Sequence, residues 1–201
     1  MGRMNAADID AVTIDAYGTL ATLSDPLPRL HELVPAATRD DVREAFEAEG
    51  SFYAAHVHEG KDADSLAALR SRCVDVFNRS LGAKLSVEDY VGALVFTPLP
   101  GVAEALARLR RLGLSLAVVA NWDFGLHDWL SAIDLAEHFS CIVHAAEKPA
   151  PDGILAALRT MNVQPARALH IGDSDVDERA AAAAGVRFLP APLPEAVASL
   201  G

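Results

Sequence analysis

Residues 10–20, "DAVTIDAYGTL", decide the fold because an apolar run ends there on a carboxylate. Val12 and Ile14 belong to the run, Asp15 follows directly, and Tyr17 stands two residues later. A short apolar run bounded by polar residues is typical of a strand buried on both faces of a parallel sheet. Asp15 then has two interpretations, a turn residue that ends the strand or a nucleophile placed at its end.

Four more short apolar runs follow in the second half of the chain, with helical patterns between them. In "GVAEALARLRRLG" (101–113), Val102, Leu106 and Leu109 are spaced at i, i+4 and i+7, and the pattern stops at Gly113. Alternating strands and helices with short connections predict an α/β fold, a doubly wound parallel sheet. The five predicted strands are 10–15, 114–120, 141–145, 168–172 and 186–189.

The first half of the chain interrupts this alternation. After Asp15 about 85 residues pass before the next strand cycle begins near "PLPG" (98–101), and most of the interval has helical periodicity. Long loops without secondary structure are rare in compact domains, so an inserted helical subdomain is the better interpretation. We predict a core domain of residues 1–22 and 97–201 and a helical cap domain of residues 23–96.

The charge balance argues against two classes of partner. The chain has 17 Lys and Arg against 28 Asp and Glu, a formal charge of −11, and a field of that sign repels nucleic acid and anionic lipid.

No stretch reaches the ~18 apolar residues of a membrane span, and "MGRMNAADID" lacks the apolar region of a signal peptide. We expect a cytoplasmic protein with reduced cysteines that acts on a small-molecule substrate, as a monomer or a homodimer.

Polar side chains follow four of the predicted strands. In an open parallel sheet, ligands bind beyond the carboxyl ends of the strands, so these residues are expected to converge. Each residue alone has an ordinary explanation as a turn, a helix cap or a solvated charge. The candidates, in chain order, are Asp15, Asn121, Lys148, Asp173 and Asp177.

These stretches together resemble the haloacid dehalogenase-like hydrolase superfamily. "IDAYGTL" is similar to its first motif, "AVVAN" to its second, "EKPAPDGI" to its third and "HIGDSDVDERAAAAAG" to its fourth, in the family's order and over nearly the whole chain. The resemblance implies a Rossmann-like core with a type-one helical cap. It also implies covalent catalysis in which Asp15 forms an aspartyl intermediate that water hydrolyses.

The resemblance also implies roles for the other strand-end residues. Lys148 would hold the nucleophile and neutralise substrate charge. Mg²⁺ would be held by Asp173, with Asp177 behind it, together with Asp15 and the backbone carbonyl of Tyr17. An octahedral oxygen shell with retained waters suits a site with few side-chain ligands.

Two residues depart from the family's phosphatases. Tyr17 stands where they carry a second Asp that protonates the leaving group, and a phenol can donate a proton but is a poor base at neutral pH. Asp123 is a candidate replacement for that acid. Ala120 stands where the family has Ser or Thr, and Asn121 is expected to replace part of the lost contact to substrate.

The first and the fourth motif indicate different reactions. "DAYGTL" also resembles the first motif of the L-2-haloacid dehalogenases, whose halide leaving group needs no proton. Asp173 argues for a metal instead, because two neighbouring carboxylates without a cation repel each other. The sequence therefore favours a Mg²⁺-dependent phosphatase for a small phosphorylated metabolite, with a halidohydrolase or a catalytically weak binding protein as alternatives.

Overall fold

The computed structural model describes residues 5–200, which divide into two compact units. One unit is built from residues up to 22 and from 98 onward, and the other from residues 23–97. The strands of the described chain are β1 (Ala11–Ile14), β2 (Ala21–Leu23), β3 (Phe96–Pro98), β4 (Ser115–Val119), β5 (Cys141–Val143), β6 (Ala168–Gly172) and β7 (Arg187–Pro190).

A five-stranded parallel sheet forms the centre of the first unit, which we call the core unit. Its order is β5-β4-β1-β6-β7, so the chain starts in the middle and winds outward to both edges. All four residues of β1 are buried, as expected for a strand covered on both faces. The doubly wound α/β fold predicted from the sequence is confirmed.

The described part of the core unit contains five α-helices: α5 (Val102–Arg111), α6 (Leu126–Ala132), α7 (Asp152–Met161), α8 (Asp175–Ala184) and α9 (Leu193–Ala198). Alanines on α8 allow close approach to the sheet, and Ala180, Ala181 and Ala184 lie in one buried cluster with Ala11 and Ala168. The helix ends at Gly185, whose φ of 71° is a left-handed conformation that glycine adopts without strain.

The second unit is helical. Its elements are α1 (Leu27–Leu33), α2 (Arg39–His56), α3 (Ala63–Leu81) and α4 (Val87–Ala93). Thr38 and Asp62 begin the two long helices with reciprocal side-chain caps. Phe77 and Tyr90 pack in its buried core with ring centroids 5.0 Å apart.

Strands β2 and β3 form a separate two-stranded sheet where the chain passes from one unit to the other. This pair was not predicted, because strands of three residues carry no readable alternation. None of the helices in residues 5–200 is long and apolar enough to cross a membrane.

Candidate active site

The register of the sheet brings three acidic residues together at one edge. Ile14 is paired with Ile171. Asp15, which follows β1, therefore lies level with the end of β6, and Asp173 comes directly after that strand. One carboxylate oxygen from each of Asp15, Asp173 and Asp177 lies within 4.8 Å of the other two. Asp15 and Asp177 are buried and Asp173 is exposed. The cluster therefore presents one accessible and two sheltered carboxylates.

Lys148 lies between the two buried carboxylates. Its Nζ is 2.5 Å from Asp15 Oδ1 and 2.5 Å from Asp177 Oδ1. The lysine side chain is itself only 3% exposed, so the ammonium ion is committed to these two partners rather than to water. This arrangement aims a positive charge at the carboxylate of Asp15.

Two glycines make room for the acidic side chains. Gly18 has a φ of 80°, and a Cβ there would lie 1.9 Å from Asp173 Oδ2. A Cβ at Gly172 would lie 2.4 Å from Asp177 Cγ. Both positions thus need glycine because a carboxylate occupies the space that a side chain would fill.

Asn121 fixes the loop that carries Lys148. The amide Nδ2 donates to the Lys148 carbonyl at 2.9 Å, and Oδ1 accepts from the Lys148 backbone N–H at 2.8 Å. Both ends of the amide are therefore engaged with the main chain of the lysine. This use of Asn121 differs from the substrate contact expected from the sequence, which stays a prediction.

Asp177 is the most heavily hydrogen-bonded carboxylate of the site. Its Oδ2 accepts from the Ser174 hydroxyl at 2.5 Å, as part of the cap that begins α8. Its Oδ1 is shared between Lys148 and the Nε2 of His170, which lies 3.2 Å away. These contacts hold Asp177 behind the lysine.

Burial and charge set the protonation of the acids. Burial, with a smaller contribution from the charge of Asp177, raises the pKa of Asp15 to about 6 even though Lys148 opposes the shift. Burial, followed by the charge of Asp177, also raises the pKa of Asp173. For Asp177 burial acts in the same direction, but hydrogen bonds from His170, Lys148 and Ser174, together with the lysine charge, outweigh it and depress the pKa.

The donor set fits a hard divalent cation. Three carboxylates share one ammonium ion, so the cluster carries excess negative charge when all three are ionised. The raised pKa values of Asp15 and Asp173 reflect burial and this mutual repulsion, and a cation among their oxygens would relieve the repulsive part. Oxygen donors of this kind are the ligands that Mg²⁺ prefers.

Other residues singled out from the sequence take different positions. The Tyr17 side chain is 52% exposed. The Asp123 carboxylate accepts the backbone N–H of Gly125 at 2.8 Å, which is a turn-forming contact just before α6. The hydroxyl of Thr19 is buried and has no hydrogen-bond partner among the described residues.

Thr13 and His170 are parts of the site that sequence reasoning missed. Thr13 Oγ1 lies 2.9 Å from His170 Nδ1, and both residues are fully buried. The available signal was a threonine and a histidine at inner positions of strands that are otherwise apolar. Burial lowers the pKa of His170, although Asp177 acts to raise it.

The comparisons with known proteins agree on one family. The profile of the haloacid dehalogenase-like hydrolases matches residues 9–185. A phosphoglycolate phosphatase of Mesorhizobium japonicum is 30% identical over 184 residues, covering 87% of this chain and 79% of the relative. Against two mammalian relatives, from mouse and cattle, the aligned segment spans only 36% and 47% of their length.

Solved structures share the fold. A haloacid dehalogenase-like family enzyme from Bacteroides thetaiotaomicron, in complex with magnesium and inorganic phosphate, superposes with a TM-score of 0.67 at 17% identity, covering 90% of this chain and 93% of that one. The L-2-haloacid dehalogenase of Xanthobacter autotrophicus superposes with a TM-score of 0.64 at 23% identity, covering 90% and 76%. The fold is therefore shared both with a family enzyme that was solved with magnesium and phosphate and with a haloacid dehalogenase.

The resemblance inferred from four sequence motifs is thus confirmed by the profile and by the relatives. The chain belongs to the haloacid dehalogenase-like hydrolase family.

Proposed function

We propose that the protein is a Mg²⁺-dependent phosphatase that acts on a small phosphorylated metabolite. The observation that carries this proposal is the acidic cluster: Asp173 contributes a third carboxylate within 4.8 Å of Asp15 and Asp177. A cation at this cluster would offset the repulsion and would also attract a phosphate dianion. The relationship to a phosphoglycolate phosphatase and the magnesium–phosphate complex of the Bacteroides enzyme support the same chemistry.

Asp15 would act as the nucleophile. An oxygen of its carboxylate attacks phosphorus, the bond from phosphorus to the leaving oxygen breaks, and an aspartyl phosphate forms. Water then attacks phosphorus, which releases inorganic phosphate and restores the carboxylate. With a pKa of about 6, Asp15 is mostly ionised at neutral pH and available for this attack.

Lys148 would hold Asp15 and compensate charge on the transferring group. The ammonium ion, 2.5 Å from Asp15 Oδ1, is already desolvated and aimed, so no reorganisation is needed as charge develops. Asn121 would support it by fixing its backbone, and Asp177 by fixing its Nζ. The metal would be held by Asp15, Asp173 and the carbonyl of Tyr17, with Asp177 close behind, and would supply Lewis-acid stabilisation of the phosphoryl oxygens.

The residue at position 17 affects which leaving groups the enzyme can expel efficiently. A tyrosine can donate a proton but is a poorer acid than a carboxylic acid and a poor base at neutral pH, and the loss of general acid–base help typically reduces rates ~10²–10⁴-fold. The phenolate of an aryl phosphate and the carboxylate of an acyl phosphate leave without a proton, so we expect these substrates to be affected least. We therefore propose that turnover falls steeply as the leaving group becomes more basic.

A halidohydrolase is the second candidate, and Tyr17 is the observation that favours it, since a halide needs no proton donor. Asp173 counts against it. A carboxylate substrate would bring a further negative charge to the cluster, at about 4 kcal/mol for each like-charged pair at 4 Å. In the phosphatase proposal the bound cation offsets the negative charge of the phosphate.

Paired assays on the same preparations test the proposal. Phosphate release from p-nitrophenyl phosphate would be measured with Mg²⁺ and with EDTA, and chloride release from 2-chloropropionate under both conditions. We expect phosphate release that requires Mg²⁺, that is abolished in Asp15→Asn, and that persists in Asp175→Asn, an exposed aspartate at the start of the same helix as Asp177.

Two results would overturn the proposal. Chloride release that persists in EDTA would establish the halidohydrolase instead. Absence of turnover on a panel of aryl, acyl and alkyl phosphates, with the wild-type fold intact, would leave a catalytically weak binding protein.

A further inference from the structure

A buried polar chain runs from the interior of the sheet to Asp177. Thr13 on β1 and His170 on β6 are paired in the sheet register, so their side chains lie next to each other. Both are 0% exposed in a sheet whose other inner positions are apolar. Polar groups in such surroundings are retained only where hydrogen bonds satisfy them.

The donors and acceptors of this chain can be assigned from geometry. An ionised carboxylate only accepts, so the Nε2 of His170, 3.2 Å from Asp177 Oδ1, carries the proton of that hydrogen bond. The Thr13 hydroxyl lies 2.9 Å from Nδ1 and 3.4 Å from the carbonyl of Leu169. A doubly protonated ring is costly at a fully buried position, so the imidazole is assigned as neutral, with its proton on Nε2 and with Nδ1 accepting from the Thr13 hydroxyl.

The carboxylate at the end of the chain is held from several sides. Ser174 donates to Asp177 Oδ2 at 2.5 Å, while His170 and Lys148 share Oδ1. The Lys148 ammonium therefore has its position fixed by a carboxylate that cannot rotate freely. Without the donor from His170, Oδ1 keeps only the lysine, and the pair can shift together away from Asp15.

We propose that His170, oriented by Thr13, is a positioning residue that holds Asp177 and thereby aims the Lys148 ammonium at the Asp15 carboxylate. It touches neither substrate nor the reacting atoms. Its effect on turnover rests on the proposed function, whereas the hydrogen-bond chain itself does not. Residues that orient a functional group from behind typically change activity 10–100-fold when they are removed.

Substitutions at both positions separate positioning from packing. His170→Leu removes the donor to Asp177, and His170→Gln places an amide N–H near the position of Nε2. Thr13→Val removes the hydroxyl at nearly constant shape, and Thr160→Val makes the same change at an exposed position of α7. Urea unfolding of every variant would identify any loss that comes from the fold.

We expect kcat to fall about 10–100-fold in His170→Leu with KM changed less than about threefold, because ground-state binding does not use the chain. The glutamine variant should recover most of the loss, Thr13→Val should show a smaller loss of kcat, and Thr160→Val none. Wild-type kcat in His170→Leu, or equal kcat in the leucine and glutamine variants, would overturn the proposal.

A spectroscopic measurement tests the chain without any turnover. Long-range ¹H–¹⁵N correlation spectra of the metal-free protein should show one histidine fixed as the Nε2–H tautomer, assigned by its disappearance in His170→Gln. In Thr13→Val this resonance should lose its fixed pattern. An Nδ1–H tautomer for His170 would overturn the inference even if the enzyme is active, and wild-type inactivity beside the expected tautomer would count against the proposed function alone.

Discussion

Replacing Lys148 with methionine tests the electrostatic arrangement of the site. The Nζ atom lies 2.5 Å from Asp15 Oδ1 and 2.5 Å from Asp177 Oδ1, and all three residues are at most 7% exposed. Methionine fills a similar volume, so most of the change is the loss of the positive charge. The variant leaves two buried carboxylates facing each other.

The size of the effect follows from the distance between the carboxylates. Their oxygens lie within 4.8 Å of each other, and two negative charges at that separation repel by about 3.5 kcal/mol at an effective dielectric constant of 20. Removing one partner of a buried ion pair typically lowers stability by ~3–5 kcal/mol. We expect the free energy of unfolding of the metal-free protein to fall by about that amount at pH 8.

The loss should depend on pH in a definite direction. Asp15 already has a raised pKa of about 6, and losing Lys148 raises it further. A carboxyl whose folded pKa exceeds its unfolded value contributes stability at low pH that disappears as the pH rises through the folded pKa. In the variant this decline continues to higher pH than in the wild type. The deficit should therefore be larger at pH 8 than at pH 5.

Urea unfolding followed by tryptophan fluorescence measures this free energy, because Trp122 and Trp129 both belong to the core unit. Lys84→Met is the matched control: this lysine is exposed, and its loss should change stability by less than about 0.5 kcal/mol. Added Mg²⁺ should stabilise Lys148→Met more than the wild type. A loss at pH 8 below about 1 kcal/mol, or a loss that is the same at pH 5 and pH 8, would refute the reasoning.

Three further predictions follow from individual side chains. Gly172→Ala places a methyl group 2.4 Å from Asp177 Cγ, so urea unfolding should show a loss of ~1–3 kcal/mol and initial rates a lower kcat; an unchanged kcat would contradict the close approach. Burial raises the pKa of Glu49, although Tyr90 donates a hydrogen bond to it at 2.8 Å. The protonated Glu49 carboxyl therefore stabilises the fold at low pH, and this contribution is lost as the pH rises. Thermal unfolding of Glu49→Gln should therefore show a gain over wild type at pH 8 that shrinks by pH 4, and a constant difference would argue against the raised pKa. Asp173→Asn should weaken Mg²⁺ binding by about tenfold or more in calorimetric titration, since it removes a charge from the cluster, and equal affinity would exclude Asp173 as a ligand.

The sequence alone was sufficient for the architecture. Apolar runs such as 114–120 mark strands because a parallel sheet buried on both faces requires them, and β4 occupies residues 115–119 within that run. The alternation of strands and helices then leaves few topologies, so a doubly wound parallel sheet could be predicted. Glycines such as Gly113 and Gly185 marked where helices end.

The candidate residues of the site were also visible in the sequence, because a parallel sheet gathers whatever follows its strands at one edge. Asp15, Lys148, Asp173 and Asp177 do lie together there. Their motifs identified the haloacid dehalogenase-like hydrolase family, and the profile and relatives bear this out. The identity of the substrate was not encoded in any local pattern.

Only the tertiary structure decided how these residues are connected. The contact from Asn121 to Lys148 spans 27 positions and that from Thr13 to His170 spans 157, so no local pattern predicts either one. Such contacts depend on strand register and on side-chain rotamers, which are fixed when the elements pack. The sequence by itself determined which groups reach the edge of the sheet, whereas packing determined that Lys148 is held between two buried carboxylates with a histidine behind one of them.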